Sequence, residues 1–96
     1  MSYNICRFGV KKIKNFKFNE ASEIEEPEIF EIYYDEKGYV EDIDFAGERS
    51  GRYWDGFYEL LKDSTGYLKA IIVWEDGDSV IELTIDEGIA KTERLI

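Results

Sequence analysis

Along most of the chain, apolar side chains recur at every second position, and in one stretch they recur at spacings of three and four. The first spacing is that of a strand with one buried face, and the second is that of an amphipathic helix. Residues 3–10, "YNICRFGV", place Cys6, Phe8 and Val10 on one side of a strand. Residues 12–18, "KIKNFKF", alternate basic with apolar positions, but Ile13 is out of phase with Phe16 and Phe18. A β-bulge would restore the phase; a short helix is the alternative reading. Residues 19–28, "NEASEIEEPE", are polar and interrupted by Pro27, and they read as a loop.

Two β-rich runs, "EIFEIYY" and "YVEDIDF", then flank "DEKG". This is a hairpin signal, with Gly38 available for positive φ. Alternation puts Phe30, Ile32 and Tyr34 on one face of the first run, with Glu31 and Tyr33 opposite. In the second run Tyr39, Ile43 and Phe45 share a face with Glu41, while Val40, Asp42 and Asp44 point the other way. One side of the hairpin reads as core and the other as a wet, acidic surface.

After the turn "AGERSG", residues 52–63 carry Trp54, Phe57, Tyr58 and Leu61 on one helical stripe. Ser50 is a candidate N-cap, Asp55 suits the first turns, and Gly66 is a candidate C-cap. "YLKAIIVW" is apolar on both faces, as in a central strand, and "EDGD" joins it to "SVIELTI" as a second hairpin. "DEG" is a further tight turn. "IAKTERLI" follows, either an edge strand or a closing helix, and its Thr and Ile favour the strand. The expected fold is α+β: a single antiparallel sheet of about five to seven strands, in two or three hairpins, with one central amphipathic helix packed on one face. The whole chain, residues 1–96, forms a single domain in this reading.

Composition sharpens this picture. Aromatic residues make up 16% of the chain, enough to build a core despite a net charge of −10. The charge is unevenly spread. Residues 1–18 hold five bases and no acid, whereas residues 19–96 hold all 22 acids and seven bases. Such blocks mark solvated faces or interaction surfaces. A basic strand lying beside an acidic one is a purely structural account of the same blocks. The negative field opposes binding to nucleic acid and anionic membrane and attracts basic proteins. Cys6 is the single cysteine, which fits a reducing cytoplasm. No signal-peptide pattern opens the chain, and no apolar run approaches the length of a membrane span.

Candidate chemistry is sparse. With no histidine and one cysteine, the usual zinc, haem and nucleophile–histidine constellations cannot be assembled. "GERSG" lacks the lysine and spacing of a phosphate-binding loop. "EDIDF" and "EDGDS" hold closely spaced oxygens, but neither matches the twelve-residue calcium loop. Carboxylates are abundant, but a glycosidase-like pair must be held across a cleft, and 96 residues leave little room for one. The bases of residues 1–18 interleave with Phe8, Phe16 and Phe18 as in a single-strand binding platform, but the acidic remainder opposes that role. The chain therefore reads as a non-enzymatic module with no cofactor and no metal.

"EIFEIYYDE" and "YVEDIDF", together with the short length, the strong negative charge and the cysteine usage, give the chain its one likeness. In these respects it resembles the small acidic immunity proteins that bacteria pair with secreted nuclease toxins. The likeness is compositional and carries no family motif. It implies capture of a basic protein partner, a toxin or nuclease, with carboxylates standing where phosphates would lie. On the hairpin the candidate partner-binding residues are Glu31, Tyr33, Asp42 and Asp44, followed by the turn acids Glu75, Asp76 and Asp78. The competing expectations are a homodimer or structural assembly through an edge strand at residues 89–95, and a nucleic-acid mimic that inhibits a DNA-binding enzyme.

Overall fold

The computed structural model describes residues 5–24, 30–45, 50–74 and 79–96, with backbone alone at Cys6, Phe45 and residues 50–53. Six strands and one helix follow in the order β1 (Ile5–Phe18), β2 (Phe30–Tyr34), β3 (Val40–Phe45), α1 (Ser50–Lys62), β4 (Ser64–Trp74), β5 (Val80–Asp86) and β6 (Ile89–Arg94). The α+β class is as expected. The single sheet is not: the strands form a four-stranded antiparallel sheet, β1-β4-β5-β6, and a separate two-stranded sheet, β2-β3. The division falls between β1 and β3, which lie close together without forming a continuous ladder.

Strand β1 explains the missed phase. Its fourteen residues run against the eleven of β4, so the extra residues must bulge. Register shifts occur between Ile5 and Arg7, between Val10 and Lys12, and between Lys14 and Lys17. Each shift resets the side-chain alternation. As a result Ile5, Phe8 and Phe16 are buried, and Val10, Ile13 and Phe18 pack partly against the same core. The bulge inferred from Ile13 is present, and the short helix is excluded. The face assigned to Cys6 concerns a side chain outside the described residues; Ile5 is the buried position there.

The last bulge has a visible cause. Asn15 takes φ 51° and faces Gly66 of β4, whose φ is 86°. A Cβ at Gly66 would overlap the Asn15 carbonyl. Gly66 is therefore not the helix cap expected from the sequence; it lets two strand backbones meet. The helix instead ends at Lys62, where the Ser64 hydroxyl donates to the Leu61 carbonyl over 2.6 Å. The end of β1 is tied to the same junction, because the Asn19 amide donates to the Asp63 carbonyl at 2.9 Å. At the other end no acid occupies the first helical turn, so Asp55 lies too far along to act there.

The helix presents Phe57, Leu60 and Leu61 to the sheet, fully buried, with Trp54 and Tyr58 on the flanks. Leu60 widens the stripe expected from spacing alone. The facing strands contribute Leu68, Ala70 and Ile72 from β4, and Leu83 and Ile85 from β5. An aromatic cluster joins the two sheets. Phe30 of β2 stacks on Phe57 with ring centroids 3.8 Å apart, and Phe8 of β1 meets Phe30 edge-on at 6.2 Å. Val40 and Ile43 complete the hairpin's buried side.

The C-terminal run is strand β6, as favoured. Asp86 pairs with Ile89 across Glu87 and Gly88. Both turn residues have positive φ, 48° and 81°. This is the two-residue hairpin turn whose twist matches the strands it joins. Its outer strand, β6, pairs with β5 on one side and is the far edge of the main sheet; no described strand pairs with its other side.

Candidate functional site

The candidate site is the outer face of the β2–β3 hairpin. Asp35 builds the turn that sets its register. One of its carboxylate oxygens accepts from the backbone N–H groups of Lys37 (2.9 Å) and Tyr39 (3.0 Å). The Asp35 N–H donates to the Tyr39 carbonyl at 2.8 Å, and Gly38 supplies φ 88°. Beyond the turn, Tyr34 pairs with Val40 but Tyr33 pairs with Asp42, so Glu41 is the extra residue of a bulge.

That bulge decides which side chains share a face. Glu31 stands opposite Asp44, and Tyr33 opposite Asp42. Directly opposed residues of an antiparallel pair point to the same side. The structure therefore brings Glu31, Tyr33, Asp42 and Asp44 together, and all four are exposed. Glu75, Asp76 and Asp78 lie outside the described residues. Two neighbouring expectations are corrected. Val40 is buried at 3% exposure, not outward, because the extra residue shifts the alternation between Val40 and Ile43. Tyr34, expected inward, is 47% exposed, since it lies beyond the same irregularity.

The four side chains are coupled. The Tyr33 hydroxyl donates to Glu31 Oε2 at 2.7 Å. Its phenol is raised above the ordinary value, first by this hydrogen bond and then by the Glu31 charge, with smaller contributions from desolvation, Asp44 and Asp42. The ring thus sits in the field of three carboxylates. Asp42 also accepts from the backbone N–H of Ile43 at 2.9 Å, which restrains its carboxylate. Chemically the face offers hydrogen-bond acceptors for guanidinium or ammonium groups, and an aromatic ring against which a guanidinium can stack.

Beside this face lies a groove that sequence reasoning did not locate. Arg7, Gly9 and Val10 of β1 and Asp42 and Asp44 of β3 line the two sides of a shallow groove. Farther along, Lys17 Nζ lies 6.0 Å from the centroid of the Tyr39 ring. The basic strand and the acidic hairpin are thus neighbours, as the structural account of the charge blocks required. Among the described residues, no group of three or more potential ligands is placed to hold a metal ion. No described helix is long and apolar enough to cross a membrane.

No protein-family profile, curated protein or solved structure matches the chain. The functional reading therefore rests on the geometry of the site.

Proposed function

We propose that this chain is an acidic protein-binding module, an immunity or inhibitor protein that neutralises a basic toxin, such as a nuclease, in the bacterial cytoplasm. The observation that carries the reading is the gathering of Glu31, Tyr33, Asp42 and Asp44 on one exposed hairpin face. The mechanism is occlusion. A nuclease active site presents basic groups to phosphates. The hairpin carboxylates occupy those positions, and Tyr33 covers an arginine ring-face on. Acids buried at such an interface contribute coupling energies of about 1.5–7 kcal/mol, and those at the rim mainly raise the association rate. The rest of the fold holds the face rigid: Phe30, Val40 and Ile43 anchor the hairpin from behind.

The test is the double substitution Asp42→Lys with Asp44→Lys, measured against the product of the neighbouring gene. Binding is expected to weaken by more than about a hundredfold, and its salt dependence to shrink. Unchanged affinity and unchanged salt dependence would refute the assignment. Thermal stability is read in parallel, because Arg7 lies across the groove from both acids. A variant that melts early but still binds would assign the two acids to charge compensation of β1.

A further inference from the structure

Among the described residues no strand lies beyond β6, so one edge of the main sheet is open there, and the sequence of β6 has a symmetry that this open edge makes meaningful. We infer that a second copy of this chain pairs with β6 in antiparallel register about a two-fold axis at Thr92, joining the two four-stranded sheets into one. This inference does not depend on the hairpin face.

The backbone directions come first. The Leu95 N–H donates inward to the Val80 carbonyl at 2.7 Å. Both backbone groups of a strand residue point the same way, and the direction alternates along the strand. Ile89, Lys91 and Glu93 therefore bond to β5, whereas Ala90, Thr92 and Arg94 direct their N–H and C=O groups out of the open edge. An axis at Thr92 opposes Thr92 to itself and Ala90 to Arg94 of the second copy. All the outward groups are then satisfied, by about six backbone hydrogen bonds.

The side chains select this register. With the axis at Thr92, Lys91 stands opposite Glu93 of the second copy, and Glu93 opposite Lys91. Ile89, which is 66% exposed, stands opposite Leu95, which is 47% exposed. These pairs lie at the non-hydrogen-bonded positions, where side chains approach most closely. Moving the axis by one residue opposes Lys91 to Lys91 or Glu93 to Glu93. Moving it by two opposes Arg94 to Arg94, or leaves Lys91 facing Ile89. Within the chain, Glu93 is opposite Glu82, a like-charged neighbour. Lys91 of the second copy supplies the opposite charge that Glu93 lacks there. A β6 acting as a solvated edge has no need of this self-complementary order; isolated edge lysines suffice to block pairing. The contact is isologous and closes at two copies.

The experiment is sedimentation equilibrium of the full chain in reducing buffer, over a wide concentration range, with folding checked by circular dichroism. The wild type is expected to rise with concentration from 11.3 kDa towards twice that mass. Thr92→Pro removes an outward N–H that serves no bond within the chain, and it should abolish the rise. Lys91→Glu should weaken association by roughly tenfold or more. Lys91→Glu combined with Glu93→Lys should restore it, a rescue that no purely intramolecular role of these residues produces. The charge series decides the matter even if the proline variant fails to fold. A wild type that stays monomeric to about millimolar concentration would overturn the inference. So would a dimer unaffected by the charge reversal.

Discussion

Tyr33 and Glu31 form the best-defined polar contact of the hairpin face, and it has a pH signature. The neutral phenol donates to the carboxylate, and the nearby acids oppose the phenolate, so the folded state holds the proton more tightly than the unfolded chain. Stability from this contact is fully present below the unfolded phenol value of about 10 and is lost as pH rises through the higher folded value. An ultraviolet titration of the wild type minus that of Tyr33→Phe should show a phenol ionising later than free tyrosine. Glu31→Ala should move it back down; no movement would mean that the contact does not form in solution. Gly66 is the corresponding residue for the fold. Its positive φ and the Asn15 carbonyl leave no room for a side chain. Gly66→Ala should lower stability by at least about 2 kcal/mol in chemical denaturation. At this scale the acidic face could be read from alternation, because Glu31 and Tyr33, like Asp42 and Asp44, are two apart. Val40 could not, because the extra residue at Glu41 is an ordinary glutamate with no glycine to announce a bulge.

At the scale of elements, the hairpins and the helix were legible because their local chemistry agrees with their packing. "DEKG" carries both the capping carboxylate of Asp35 and the positive-φ Gly38. "DEG" forms the two-residue turn, with Glu87 forced into a conformation that asparagine adopts more readily. Glu87→Asn should raise stability by about 0.5–1 kcal/mol, readable as a higher denaturation midpoint. The helix stripe predicts its own anchor. Phe57 is fully buried and touches rings from β1 and β2 as well as from its own helix. Phe57→Ala should cost about 3–5 kcal/mol and loosen the hairpin together with the helix. Strand β1 was harder to read, because three register shifts spread its buried positions over spacings that fit neither a plain strand nor a helix.

At the scale of the whole molecule, the charge blocks acquire a geometry. The basic strand β1 lies between β4 and the acidic hairpin, so part of the acidity of residues 30–45 faces a positive neighbour within the chain. Glu31, Tyr33, Asp42 and Asp44 remain exposed in spite of this, and they lie far in the strand order from the open edge β6. The face proposed for a basic partner and the edge inferred to pair with a second copy are therefore separate surfaces. The division into two sheets was not legible, since the alternation of a strand does not say whether it completes a ladder with a neighbour. The most direct measurement is calorimetric titration of the wild type and of Asp42→Lys with Asp44→Lys into the product of the neighbouring gene, at low and high salt. The account predicts tight, salt-sensitive binding that is lost in the double variant while its fold is retained. Equal binding by both proteins, insensitive to salt, would contradict it.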